Sequence, residues 1–230
     1  MTATVQAAGA SPQRLAGDLV LAGDLVIDAR HRYGDWYRER TFGLTVELGD
    51  GIDLVLALRG EALTLVDQAE LIIDSGLVEN PDGSVTTDRR LGFGSAGRVL
   101  QAIHHSPTLL ATMRACTGLA DLRPGRAGYN LYRSGDYLGI HRDTQKVAVT
   151  VVLDLLGNLP AMQWAPRYAD SASHAVLELA RTDGVFPAGH SSLPVPRDHL
   201  RAFDGRKVPH WRPPFEGALG LLAICSFTTE

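Results

Sequence analysis

Apolar and polar positions along this chain change rhythm near residue 120. Before that point the spacing is mixed. Thr41–Leu58 predicts a hairpin: TFGLTVEL, a Gly-Asp-Gly turn at 49–51, then IDLVLAL. Residues 61–77 carry both helical and extended character, and Asn80-Pro81-Asp82-Gly83 marks a turn. Val99, Leu100, Ile103, Leu109, Leu110, Met113 and Cys116 recur at helical spacing, which predicts helices broken near Ser106-Pro107 and ended by Gly118. After that come short apolar runs separated by Gly and Pro: Ala127–Arg133, Lys146–Leu155, His174–Leu179, His199–Phe203 and Leu219–Phe227, all predicted as strands. Helices followed by a dense run of strands predict a helical flank laid against an antiparallel sandwich, with no linker dividing them. LAGDLV stands at 15–20 and again at 21–26, two copies too short to build a repeat architecture.

Composition narrows the picture. The 230 residues are 45% hydrophobic and 21% charged, the balance of a globular chain with enough length for a real core. No apolar run approaches the roughly 18 residues of a membrane helix, and the N-terminus lacks a basic segment leading into an apolar stretch, so neither a membrane span nor a secretory signal is expected. The two cysteines, Cys116 and Cys225, make no disulfide framework, which implies a reducing cytoplasm. Residues 1–14 are small and polar and are expected to fray; 15–230 reads as one domain, with the flank over about 15–120 and the strand-rich core over about 121–230. The net charge of −4 argues against a nucleic-acid partner, and the 22 basic residues are 20 Arg and two Lys, Lys146 and Lys207.

The chemistry concentrates in Tyr129 to Leu155, YNLYRSGDYLGIHRDTQKVAVTVVLDL. His141 and Asp143 stand two apart, so on an extended chain the imidazole and the carboxylate leave the same face. They supply two of the three ligands of a facial 2-His-1-carboxylate site, and hard oxygen plus imidazole without thiolate favours Fe(II) over structural zinc. The pair alone is weak: 8 His and 18 Asp in 230 positions give about 0.6 chance matches, and a surface strand end is the bland alternative. For the third ligand His174, His190, His199 and His210 are candidates. His104-His105, adjacent on a helix, point about 100° apart and read as structural.

Taken together, Asn130, Tyr132, Gly135, His141 and Asp143 form N-x-Y-x-x-G-(x)5-H-x-D, which resembles the Fe(II)/2-oxoglutarate-dependent oxygenases of the prolyl-hydroxylase-like and nucleic-acid-demethylase branches. The resemblance spans roughly Leu109 to Phe227 and implies a mainly β fold with flanking α-helices around a double-stranded β-helix (jelly-roll, cupin-like) core. It also implies that His210 is the third ligand, since Ala202-Phe203-Asp204-Gly205, then Val208-Pro209-His210 and Pro214-x-x-Gly217, resembles the family's distal segment; His190 is the runner-up. Asn130 and Tyr132 match positions that hydrogen-bond 2-oxoglutarate in those families. The implied activity uses Fe(II), 2-oxoglutarate and molecular oxygen to oxidise a C–H bond by hydroxylation, desaturation or ring formation. Asp143, where halogenating relatives have Gly or Ala, argues against halogenation.

One departure stands out. The family anchors the distal carboxylate of 2-oxoglutarate with Arg or Lys on the last strand, where this chain has Leu219, Gly220 and Leu221, and no basic residue follows Arg212. A carboxylate removed from water needs such a partner. Arg212, two residues from His210, is the expected substitute; Arg126, Arg133, Arg142, Lys146 and Arg167 are further donors. Trp164, Trp211 and Tyr137 are candidates for a substrate pocket or for packing. The expected substrate is a small molecule, an amino acid or derivative in specialised metabolism. The rivals are nucleic-acid or peptidyl demethylation or hydroxylation, and a jelly-roll metal-binding module without turnover.

Overall fold

The structure is a computed structural model that describes residues 25–28, 36, 39–48, 53–169, 171–188, 191–193 and 199–229. The expected N-terminal fraying, the first LAGDLV copy, the turn at 49–51 and His190 lie outside the described residues.

Strands β1 (Leu25–Asp28) and β2 (Thr41–Leu48) come first, then helix α1 (Leu54–Leu65). Strands β3 (Glu70–Asp74), β4 (Val78–Glu79), β5 (Val85–Thr86) and β6 (Arg89–Ser95) lead to helices α2 (Arg98–His104) and α3 (Pro107–Thr117). The second half holds β7 (Arg123–Tyr132), β8 (Tyr137–His141), β9 (Val147–Leu156), β10 (Met162–Trp164), helix α4 (Ser173–Asp183), β11 (Ser191–Leu193), β12 (His199–Phe203), β13 (His210–Arg212) and β14 (Gly220–Thr228).

Hydrogen bonding runs β1-β2-β12-β9-β14-β7-β6-β8-β13-β10-β11, with β3 on the outer side of β6. Every pairing is antiparallel. The chain alternates between the two halves of this path: β7, β9, β12 and β14 share one half, β8, β10, β11 and β13 the other, and β6 joins them by pairing with both β7 and β8. That alternation is a double-stranded β-helix, the fold expected from the sequence.

Period-2 alternation sorts each strand between two cores. On β14, Leu221, Ala223, Cys225 and Phe227 face outward onto Leu54, Leu58, Leu100, Leu109 and Met113 of α1, α2 and α3. Leu222 faces inward with Val152, Met162, Trp164, Phe203 and Val208. β9 is buried on both faces, which is why VAVTVVLDLL reads as an apolar run interrupted only by Thr150 and Asp154. A third cluster packs α4, through Val176, Leu177 and Ala180, against Val85, Ile140 and Trp211 on the outer face of the second half. Burying one such Leu side chain contributes about 1.5–3 kcal/mol.

Two sequence expectations are corrected. Residues 54–58, predicted as the hairpin's second strand, begin α1: the Asp53 carboxylate accepts from Val55 N–H and Leu56 N–H, and Leu54, Leu58 and Ala62 at four-residue spacing are the buried positions. His174–Leu179, predicted as a strand, lies within α4, where Val176, Leu177, Leu179 and Ala180 are buried at helical spacing. The break at Ser106-Pro107 and the stop at Gly118 agree with the prediction: Ser106 Oγ accepts from Leu109 N–H, and Gly118 takes φ 71°.

Candidate metal centre

His141 closes β8, and His210 opens β13 directly opposite it in the ladder. Asp143 follows two residues after His141, and Nε2 of each histidine stands close to its Oδ1, at 3.7 Å from His141 and 3.8 Å from His210. One ligand atom from each residue lies within 4.8 Å of the others, the only such group of three among the described residues. Ligand atoms around an octahedral ion are about 3 Å apart, so each imidazole stands within about 1 Å of its coordinating separation from Asp143. The intervening Arg142 points to the opposite face, as strand alternation requires. Its guanidinium donates to Ser171 O and Tyr168 O (both 2.7 Å), and its backbone N–H donates to Val85 O.

The unused ligand atoms are each tied back. His141 Nδ1 lies 3.0 Å from Gly139 O and His210 Nδ1 3.1 Å from Val208 O, so each Nδ1 carries the proton and each Nε2 presents its lone pair to the site. Thr150 Oγ1 on β9 donates to Asp143 Oδ2 at 2.5 Å, and Asp143 N–H donates to Gly205 O at 3.0 Å. Burial, reinforced by the neighbouring His210, pulls His141 from 6.5 down to about 3, and burial lowers His210 as well. Both imidazoles are therefore neutral near pH 7, the form that binds metal.

Gly205 backs the site. A Cβ there would fall 2.1 Å from Asp143 Oδ2 and 3.0 Å from His210 Cε1. The turn carrying it is fixed by Asp204, whose buried carboxylate lies 3.6 Å from Arg40 and 3.4 Å from Arg206, and whose N–H donates to Arg40 O. Burial pushes the Asp204 carboxyl up against the opposing pull of Arg206 and Arg40.

A cavity of about 390 Å³ opens on His141 and Asp143, with Asn130, Leu91, Phe93, Leu138 and Ile224 in its walls. Asn130 thus shares the cavity with His141 and Asp143. Tyr132 and Arg212 do not line it: they are fully buried beyond it, Arg212 donating to Pro160 O at 2.9 Å, 3.9 Å from Asp154 Oδ1, with its guanidinium carbon 5.6 Å from the Tyr132 ring centre. Arg126 lines the cavity; Arg133, Lys146 and Arg167 are exposed.

The remaining candidates disperse. His174 is exposed on α4, His199 starts β12, and His104 is buried with Nε2 2.9 Å from Ser226 O. Trp164 sits 6.1 Å from the His210 ring inside the barrel, Trp211 packs outward under α4, and Tyr137 stacks edge-on against Phe186; none of the three lines the cavity. Three contributors were not singled out from the sequence: Thr150, Gly205 and Asp154. A polar residue within the apolar run VAVTVVLDL was the available sign for Thr150 and Asp154, because such residues are buried only when bonded.

No protein-family model and no curated protein matches the chain. Solved structures do. The non-heme alpha ketoglutarate dependent epimerase SnoN from nogalamycin biosynthesis superposes with a TM-score of 0.60 at 13% identity, over 85% of this chain and 81% of that one. An oxidoreductase of the 2OG-Fe(II) oxygenase family from Burkholderia pseudomallei gives 0.58 at 9% identity, over 86% and 90%. HygX from Streptomyces hygroscopicus, solved with nickel, 2-oxoglutarate and hygromycin B bound, gives 0.55 at 14% identity, over 87% of each chain. The chain has the double-stranded β-helix fold of the Fe(II)/2-oxoglutarate oxygenases.

Proposed function

We propose that the protein is an Fe(II)/2-oxoglutarate-dependent oxygenase acting on a C–H bond of a small molecule, an amino acid or derivative in specialised metabolism. The observation that carries this is the convergence of His141 Nε2, His210 Nε2 and one Asp143 oxygen, beside a cavity that His141 and Asp143 line, while the other heteroatom of each is bonded away. Two neutral imidazoles and one carboxylate on a single side suit Fe(II) and leave its other side open. When bound, the ion would bring 2-oxoglutarate and oxygen together, with decarboxylation to succinate providing the oxidising power for the substrate.

The residues of the chain hold and aim. Gly139 O, Val208 O and Thr150 fix the ligand orientations, and Phe203 and Trp164 give His210 a dry wall. Asn130, in the cavity wall, would donate to 2-oxoglutarate. We assign the distal carboxylate to Arg212 with Tyr132, in the barrel interior beyond Asn130; binding there requires Arg212 to turn from Asp154 toward the incoming carboxylate. The cavity volume fits a small molecule, in keeping with the names of SnoN and HygX, one tied to nogalamycin biosynthesis and the other solved with hygromycin B. A cytoplasmic site agrees with two buried, unpaired thiols, Cys116 and Cys225. Among the described residues no helix is long and apolar enough to cross a membrane.

The test is release of labelled carbon dioxide from 1-labelled 2-oxoglutarate by wild type and His210→Ala under iron and oxygen. Release by wild type that His210→Ala abolishes is the expected result. Equal release by both, with equal iron content, would remove His210 from the site.

A further inference from the structure

We propose that Arg126, held against Phe93 at the mouth of the cavity, is a carboxylate-binding subsite that receives an acidic group of the substrate. This rests on the oxygenase reading above and names the substrate class for the same cavity.

Three arginines line the cavity, Arg89, Arg126 and Arg142, against a single carboxylate, that of Asp143. Two of the three guanidiniums are engaged. Arg89 Nε lies 2.5 Å from Asp74 Oδ2, and Arg142 donates to two backbone carbonyls. The Arg126 guanidinium has no carboxylate or carbonyl partner among the described residues; it lies 4.3 Å above the centre of the Phe93 ring. This cation–π contact restrains the guanidinium, whose N–H donors suit a flat, two-oxygen acceptor.

The position selects the ligand. Ser226 Oγ accepts from Arg126 N–H and donates to Arg126 O, and Ser226 pairs across β14–β9 with Thr150, the residue bonded to Asp143. Arg126 therefore stands on the row of strands that passes the metal ligands. Asn130 lies four residues further along β7, about 13 Å of extended chain, toward the buried Tyr132 and Arg212. A co-substrate reaching toward Asn130 and Arg212 leaves Arg126 to a molecule entering from solvent beside the metal. Such a molecule would set its carboxylate on Arg126 and its apolar part against Phe93, Leu91 and Ile224.

The experiment measures binding, not turnover. Ligand-observed NMR on metal-free protein, using N-acetylamino acids each paired with its N-acetylamino amide, compares wild type, Arg126→Gln and Arg126→Lys. Affinity for 2-oxoglutarate is measured separately on the iron-loaded, oxygen-free proteins. The proposal predicts that wild type prefers acids over amides by about tenfold or more, that Arg126→Gln erases the preference, and that Arg126→Lys keeps part of it. Affinity for 2-oxoglutarate should change less than about twofold. Equal binding of acids and amides by wild type, or an acid preference that survives in Arg126→Gln, overturns the subsite. A 2-oxoglutarate affinity that falls tenfold in Arg126→Gln overturns the substrate assignment and gives the carboxylate to the co-substrate. If iron-loaded wild type binds no 2-oxoglutarate, the oxygenase reading fails, and the acid preference of the metal-free protein still decides the subsite.

Discussion

Replacing Gly205 with alanine adds one methyl group and should disable the metal centre while sparing the fold. The new Cβ would lie 2.1 Å from Asp143 Oδ2 and 2.7 Å from its Cγ, whereas ordinary contact begins at 3.4 Å. The carboxylate must retreat by the difference, 1.3 Å, or the turn must move as far. Neither is free to do so. Asp143 is tied to Thr150 and to the Gly205 carbonyl, and the turn is anchored through Asp204 to Arg40 and Arg206. Metal sites tolerate ligand displacements of about 0.2 Å, so iron affinity should fall by about 10–100-fold. The accompanying overpacking costs about 1–3 kcal/mol, a fall in melting temperature of several degrees. Iron affinity is read anaerobically by competition with a chromophoric chelator, with Asp143→Ala as the reference for complete loss. Gly60→Ala is the control: a Cβ there meets nothing within 4 Å, and it lies inside α1, where alanine is worth up to about 1 kcal/mol over glycine. A folded Gly205→Ala protein with wild-type iron affinity would refute this account of how Asp143 is positioned.

Further outcomes follow from the same contacts. Thr150→Val keeps shape and removes the donor to Asp143 Oδ2. Iron affinity should drop about tenfold and stability by about 1 kcal/mol, with Thr150→Ser restoring most of both; a valine variant that binds like wild type would show that the hydroxyl does not orient the carboxylate. The depressed imidazoles make metal-free stability depend on pH. His141 titrates at 6.5 when unfolded and about 3 when folded, so between these values the unfolded chain takes up a proton that the folded one refuses. Stability is therefore complete above pH 6.5 and is lost progressively as pH falls toward 3, His210 adding in the same direction. Each unit is worth about 1.4 kcal/mol. The urea midpoint should fall between pH 7.5 and 5 and flatten in His141→Gln; equal slopes in the two proteins would contradict the assignment. Burial pushes the Cys225 thiol up to about 12 and raises Cys116 too. A thiol reagent at pH 8 should label neither until the protein unfolds, and rapid labelling of native protein would show that the outer core opens.

The fold class was legible from the motif around His141 and Asp143 together with the dense run of short strands, and the spacing that sets those two side chains on one face is local. The apolar run of β9, the two-residue spacing of His141 and Asp143, and the Gly118 stop each need only a few neighbouring residues. The misread segments had two periodicities at once. Ile52–Leu58 alternates like a strand, and the Asp53 cap with the Leu54–Leu58–Ala62 spacing decides for a helix. His174–Leu179 is short enough to suit either element until the apolar surface of Val85, Ile140 and Trp211 supplies a helix-sized contact. What supports the ligands depends on register between distant strands. Nothing near Thr150 or Gly205 announces that either meets Asp143, and Arg212 beside Asp154 becomes visible only once β9 and β13 face one another across the barrel. The placement of Arg126 at the cavity mouth is of the same kind, since Phe93 meets it through the β6–β7 pairing.

The central claim is that His141, Asp143 and His210 form an open iron site that chelates 2-oxoglutarate. Its most direct test is an anaerobic titration of metal-free protein, first with Fe(II) and then with 2-oxoglutarate, following the visible metal-to-ligand charge-transfer absorption. The account predicts a band that needs both additions and that His210→Ala abolishes. Iron binding with no band on adding 2-oxoglutarate would contradict the co-substrate, and no iron binding at all would contradict the site.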